Sequence, residues 1–442
     1  MSKKYCAMRL KTKEITMSII GTIFILLGFI FNQWFIAILF SSDGRLANIT
    51  KIIIWVCEIS FVAYGFALLC FRKNIKMIAN SSLLFVTFIL CLLVSLEISL
   101  SLKESIREVV RINMPNPHGT GSFRLKPNFY YKDKEITIQT NSHGMRWREV
   151  SINNSAGRRR IAFAGDSFTF GCWVAQTKNT FVGVVDSQLD SKKFEILNFG
   201  VAGYGLDDIK LQIEEEILKF RPAYIVVVFF NGNDFRDTYL GFNKYNIVDG
   251  LTEWNQANLD KKIPREFHKK EYIENRGFAR LKSLRLLRGY ASKVIDTLLS
   301  GKSSDFWYRD DFMSYTFWSQ VNYPEVAIKA KGQSLKTLDD IRKTCEFNNI
   351  KLIIISLPFR EQVYAKKACD KYHDISLPQR YIEKYASNYS IPYLDLLLSL
   401  RSYLATNHED IYFGGDVHLN DRGHYVVGKL ITLFLNSEVL KY

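Results

Sequence analysis

Hydrophobic positions follow two different rhythms along this chain. Over the first hundred residues they run on almost without a break. Ile15–Phe40 carries no charge, Ile52–Phe71 is interrupted only by Glu58, and Met77–Leu100 holds Glu97 near one end. A bilayer core needs about 20 apolar helical residues. The pattern therefore predicts three transmembrane helices, residues 15–40, 52–71 and 77–100, within a membrane region spanning 1–105. A secretory leader has a shorter apolar core and would not be followed by two more such runs. From Ser101 the rhythm changes. Residues 106–160 read as a polar connecting segment with a short strand pattern at Ile136–Gln139. Beyond it, brief β-branched runs alternate with helical patterns. The runs Arg160–Ala164, Phe194–Asn198, Ala223–Phe230, Lys351–Leu357 and Pro392–Leu396 predict five strands; Leu206–Phe220 and Gln333–Asn348 predict helices. Strands alternating with helices mean right-handed crossovers and a parallel sheet covered on both faces. The fold class expected for 161–442 is thus α/β, and reactive groups are expected outside the carboxyl ends of its strands.

Charge refines this picture. The formal net charge is +15, a balance that suits nucleic acid, an anionic membrane surface or an acidic polymer. No zinc-finger spacing, nucleic-acid motif or nucleic-acid-type Lys/Arg block occurs, so anionic membrane lipid is the simplest partner and nucleic acid is not expected. Lys and Arg are also unevenly placed around the apolar runs. Lys3, Lys4, Arg9, Lys11 and Lys13 precede the first, and Arg72, Lys73 and Lys76 lie between the second and third. Only Arg45 and Lys51 lie between the first and second. Positive charge favours the cytoplasmic side, which predicts a cytoplasmic N-terminus, a multi-pass anchor in the inner or plasma membrane and an extracytoplasmic C-terminal domain. Glu58 within an apolar run is either a helix–helix contact or a protonated or snorkelling side chain. The cysteines form no CxxC pair; Cys345 and Cys369 could bridge, but free thiols fit the count as well.

Four short segments carry candidate chemistry. The first predicted strand ends in Gly165-Asp166-Ser167-Phe168-Thr169-Phe170-Gly171. A serine at a strand-to-helix turn stands beyond the sheet edge, beside free N–H groups that favour negative charge; the same serine could equally be an ordinary N-cap. The second strand ends in Asn198-Phe199-Gly200-Val201-Ala202-Gly203-Tyr204-Gly205, where glycine permits close backbone approach. The third ends in Asn231-Gly232-Asn233-Asp234, residues that also form plain turns. Near the C-terminus comes Gly415-Asp416-Val417-His418-Leu419-Asn420. A histidine there could accept the serine proton, with a carboxylate two residues away to orient it. Each segment alone has a bland explanation. Their joint occurrence, each at a strand's carboxyl end or the equivalent C-terminal loop, is the argument.

Taken together, these segments resemble the four blocks of the SGNH, or GDSL-type, hydrolase family, centred on Ser, Gly, Asn and His. Ser167 in GDSFTFG, Gly203 in NFGVAG, Asn233 and His418 match the four centres. The resemblance runs from about Phe123 to the C-terminus and includes Thr140–Trp147, TNSHGMRW. It implies a three-layer sandwich around a five-stranded parallel sheet. It also implies Ser167 as nucleophile, His418 as base, and Asp416 as the orienting carboxylate. The oxyanion donors would be the Ser167 and Gly203 backbone N–H groups and the Asn233 amide. Two positions depart from the family pattern. Asp416 and His418 are two apart where three is usual, which resembles the form seen in membrane-associated polysaccharide acetyltransferases and some bacterial esterases and leaves Asp395 and Asp421 as weaker alternatives. Asn231 stands where the third block usually begins with Gly.

The resemblance implies acyl transfer through a covalent serine ester, requiring no metal or cofactor. Water as acceptor makes an esterase; a sugar hydroxyl makes an O-acyltransferase. The substrate expected is an acylated envelope glycan or lipid-linked sugar. The alternatives are a lipase or thioesterase acting on membrane lipid, and a non-catalytic partner of a membrane-bound acyltransferase. One long connection, about 235–326, exceeds what a crossover needs. Within it Lys261–Lys293 holds eleven Lys and Arg against three Glu. That basic insertion fits an anionic lipid surface, an acidic glycan groove or a solvated cap over the site.

Overall fold

The computed structural model describes residues 2–30, 48–71, 110–119, 121–132, 136–267, 311–365, 368–413 and 416–440. They fall into two compact units, one within the first 107 residues and one that starts at Glu108. The connecting segment 108–160 therefore belongs to the second unit rather than standing apart from it.

The first unit contains α1 (Ser2–Ile30) and α2 (Asn48–Cys70). The two pack through Phe24, whose ring lies 5.7 Å from Phe61 and 5.0 Å, edge-on, from Tyr64. Gly21 faces Gly65 where the two backbones come closest. Among the described residues no helix is long and apolar enough to cross a membrane. The N-terminal half of α1 is basic up to Lys13, and α2 holds Glu58 within its apolar sequence. The spans expected at 15–40 and 52–71 are not established by these helices. The third, 77–100, lies outside the described residues. Even so, Ile52, Trp55, Ile59 and Phe66 of α2 are exposed, as are Ile19, Leu26 and Phe29 of α1.

The second unit is built on a five-stranded sheet: β1 (Arg159–Ala164), β2 (Phe194–Asn198), β3 (Tyr224–Phe230), β4 (Lys351–Leu357) and β5 (Tyr393–Asp395). The spatial order is β2-β1-β3-β4-β5 and every pairing is parallel, with Phe163 opposite Val226 and Val227 opposite Ile354. These strands match the expected runs within one residue. All seven residues of β3 are buried, as a strand covered on both faces requires. The order reverses between β1 and β3, and such a switch opens a crevice at the carboxyl ends of those two strands.

The helices were less legible. The expected helix over Leu206–Phe220 is α-helical only through Leu206–Glu215 and tightens to a 3-10 turn at Ile217–Phe220. Arg124 explains the break: its guanidinium holds Glu215 at 2.6 Å and Glu216 at 2.5 Å, so both successive carboxylates turn toward one cation. The expected helix at Gln333–Asn348 begins instead at Glu325, just after Pro324, and ends at Phe347. Proline ends the preceding extended segment and leaves the next residues free to start a helix. Cys345 and Cys369 are free thiols, one buried and one exposed.

Candidate active site

The turn that carries Ser167, the candidate nucleophile, is a four-residue helical turn, Ser167–Phe170, set directly on the end of β1. Asp166 caps it: the carboxylate accepts the Phe168 N–H at 3.0 Å. The turn is supported from beneath by Arg146, which is almost fully buried. Its guanidinium donates to the carbonyls of Phe170 (3.2 Å), Gly171 (2.5 Å) and Val174 (2.8 Å). A cation at the carbonyl end of a helical turn meets the negative end of the backbone dipoles. Burial pulls the Arg146 pKa down to about 10, still well above neutrality, so the charge persists. This contact gives a physical role to TNSHGMRW: the segment delivers Arg146 to the floor of the turn. The second-block loop runs alongside, with Phe199 N–H donating to Phe163 at 2.8 Å and Val201 N–H to Gly165 at 3.0 Å.

Ser167, His418 and Asp416 come together in line. Ser167 Oγ lies 2.9 Å from His418 Nε2, and His418 Nδ1 lies 2.6 Å from Asp416 Oδ1. The same Asp416 oxygen accepts the His418 backbone N–H at 3.0 Å. The two-residue spacing therefore lets the carboxylate hold both the ring and the backbone of the histidine. A helix would have put the two side chains on diverging faces. The loop avoids that, because Asn420 caps the following helix, Asp421–Phe434, and so stops it short of His418. The Phe168 ring stacks 5.0 Å from His418 and 4.2 Å from Phe230. The alternative carboxylates do other work. Asp395 accepts the Leu397 N–H at 2.8 Å, at the start of the helix Leu397–Asn407. Asp421 accepts from Asn179 at 3.0 Å.

Gly203 has φ +87°, a left-handed conformation natural to glycine. Asn233 follows β3 and is 8% exposed, with its amide oxygen buried and unpartnered. The NH2 is the other polar end of that amide, and it is a donor. Asn231, which replaces the usual glycine, is fully buried and donates to Ser356 (2.7 Å) and the Leu357 carbonyl (2.9 Å), tying β3 to β4. Beneath these groups lies a buried acidic pair. Burial raises the Asp166 pKa to about 6, and burial with the nearby Asp166 charge raises Asp234 well above the ordinary carboxylate range.

The long connection is described up to Phe267 and again from 311, and most of Lys261–Lys293 lies outside the described residues. What the described part brings to the site is aromatic rather than basic. Tyr245 stands against Gly203, and Tyr315 stands against Gly232 and Phe230. Neither tyrosine has a sequence signal beyond the aromatic richness of the segment. A small cavity lined by Arg124, Met145, Phe199, Val201 and Glu216 lies beside the second-block loop; neither Ser167 nor His418 lines it. Among the described residues no group of three or more His, Cys, Asp or Glu could hold a metal ion.

No family model and no curated protein matches the chain. Several solved structures are similar to part of the chain, among them proteins described as esterases or lipolytic proteins. A two-domain esterase active on acetylated mannans is 13% identical, with 64% of this chain and 51% of that one covered and a TM-score of 0.35. The chain thus spans about half the length of that enzyme. A lipolytic protein of the G-D-S-L family from Desulfitobacterium hafniense is 13% identical over 63% of this chain and 100% of its own, TM-score 0.32. An acetyl xylan esterase is 15% identical over 62% and 97%, TM-score 0.34. Likeness at this level adds nothing to the geometry above. The fold and site define a parallel α/β sandwich with a Ser–His–Asp relay at its topological switch.

Proposed function

We propose that this protein is a serine hydrolase of the SGNH type, an esterase or O-acyltransferase acting on acyl esters of envelope glycans or lipid-linked sugars. One observation carries the reading: the unbroken line Ser167 Oγ, His418 Nε2, His418 Nδ1, Asp416 Oδ1, with spacings of 2.9 and 2.6 Å. In this reaction His418 takes the Ser167 proton as Oγ attacks the ester carbonyl. The C–Oγ bond forms and negative charge moves to the carbonyl oxygen. The Ser167 and Gly203 N–H groups and the Asn233 amide are the donors proposed for that charge, each contributing about 3 kcal/mol in comparable enzymes. His418 then returns the proton to the departing alcohol as the C–O bond breaks. Water or a sugar hydroxyl, deprotonated by the same His418, releases the acyl group. Asp416 keeps the imidazole in the tautomer whose Nε2 can accept, and stabilises the imidazolium.

The proposed location is an extracytoplasmic domain on an N-terminal membrane anchor. The exposed apolar side chains of α1 and α2 support it, because contiguous exposed apolar surface seeks an apolar environment. The distribution of Lys and Arg supports the orientation. The chemistry is tested by fluorophosphonate labelling of the full-length protein. The expected result is one adduct, on Ser167, lost in Ser167→Ala and suppressed in His418→Ala. Labelling elsewhere, or none, overturns the assignment. A phosphatase fused after Tyr442 tests the location: activity confined to the cytoplasmic side would reverse the orientation.

A further inference from the structure

The two tyrosines contributed by the long connection bracket both glycines of the oxyanion region. A Cβ placed on Gly203 would lie 3.0 Å from Tyr245 Cε2 and 3.5 Å from its hydroxyl oxygen. A Cβ on Gly232, next to Asn233, would lie 2.7 Å from Tyr315 Cδ1 and 2.7 Å from the Phe230 ring. Both rings are held firmly. Tyr245 pairs across a hairpin with Trp254, ring centroids 4.4 Å apart. Tyr315 packs on Phe230 at 5.7 Å, and the Arg236 guanidinium lies 5.9 Å from its centroid while donating to the neighbouring Met313 carbonyl at 2.9 Å. Arg236 is itself fixed by Asp237 at 2.7 Å. The two rings are near enough to influence each other electrostatically, and Tyr315 also feels both Asp166 and Asp416. Tyr315 stands beside the residue before Asn233 and packs on Phe230, whose ring lies 4.2 Å from Phe168, itself 5.0 Å from His418. Burial pushes the Tyr315 pKa up to about 12, so it presents a neutral phenol.

Rigid rings on two sides of the carbonyl site leave little width for whatever group the carbonyl carries. We propose that Tyr245 and Tyr315 set acyl specificity, narrowing the acyl pocket so that acetyl-sized groups enter and medium or long chains do not. This rests on the serine esterase reading and names the size of its acyl group. It places the substrate among short-chain esters of hydroxyl compounds rather than membrane lipids, whose acyl chains are long.

The test uses the purified full-length protein and p-nitrophenyl acetate, butyrate and octanoate, together with a second series of acetyl esters whose alcohols increase in size. The parent is expected to lose at least about tenfold in kcat/KM from acetate to octanoate. Tyr315→Ala and Tyr245→Ala should each raise the octanoate-to-acetate ratio by about tenfold or more, as expected when a pocket gains several methylene widths. The Phe variants should keep the parental ratio, and the alcohol series should not widen. A variant that no longer takes fluorophosphonate at Ser167 is replaced by the Leu variant, which still shortens the wall. The proposal is overturned if the parent prefers octanoate, if both shortened variants retain the parental ratio, or if the gain appears in the alcohol series instead. Absence of both ester turnover and Ser167 labelling in the parent would remove the esterase reading itself, a separate outcome.

Discussion

The two compact units treat apolar residues in opposite ways. In the strand Tyr224–Phe230 every residue is buried, and Ile225, Val226 and Val227 are wholly inaccessible. In the helix Asn48–Cys70, Ile52, Trp55 and Ile59 remain 63%, 60% and 63% exposed. Both segments read as strongly hydrophobic, so hydrophobicity does not separate them. What separates them is cover. The strand has helices on both faces and a neighbour on each edge, whereas the helix has one described partner on one face. An apolar segment is a core element when its own unit covers it; one left uncovered is suited to another apolar phase.

The largest effects should fall on chemistry confined to the second unit. Ser167→Ala should lower kcat on a small soluble ester by at least about 10⁴, since loss of the nucleophile in a triad removes most of the rate. Retention in the membrane fraction and thermal midpoint should not move. Turnover within tenfold of the parent would show that another residue attacks. Asp416→Asn should cost about 10³ to 10⁴ in kcat, because the orienting carboxylate fixes the tautomer. Asp395→Asn, at the start of a helix, should leave kcat within a few fold. The reverse ranking would mean that the last block is misassigned.

Core packing comes next, and here the contrast between units is tested directly. Ile225→Ala in β3 should destabilise by about 2 to 5 kcal/mol, the cost of lost burial and a cavity. Ile59→Ala on the exposed face of α2 should change stability by about 0.5 kcal/mol or less. Ile59→Asp in its place should release protein from the membrane fraction. Equal destabilisation by Ile225→Ala and Ile59→Ala would show that the α2 face is covered after all.

The smallest effect concerns a buried carboxylate. Asp207 has an unpartnered buried oxygen, and burial raises its pKa to about 7. A raised carboxylate pKa favours the folded state below the unfolded value, about 3.9, and that advantage is lost as pH rises through 7. Asp207→Asn should therefore gain thermal stability relative to the parent between pH 4 and pH 8, by on the order of 1 to 2 kcal/mol at the upper end. A difference independent of pH would place the Asp207 carboxylate in water.

Much of the second unit was determined by local sequence. β-branched runs with no polar alternation specify doubly covered strands, and all five strands lie within one residue of their expected bounds. The residues of the relay were legible too. A loop serine, glycine, amide and histidine in that order leave few arrangements once the sheet is parallel. The carboxylate was legible in part: spacing favoured Asp416, and the loop that keeps His418 out of the last helix sets Asp416 against the imidazole. Local sequence could not say where the connection after β3 returns. Tyr245 and Tyr315 reach Gly203 and Gly232 because Arg236, Asp237 and Trp254 fix that chain, and these contacts join residues up to 77 positions apart. Nor did the pattern around Thr140–Trp147 disclose that Arg146 supports the nucleophile turn through carbonyls 24 to 28 residues away. Strand periodicity is a property of neighbouring residues, whereas the walls and floor of a site depend on which distant segments share the same few ångströms, and that is decided only when the chain packs.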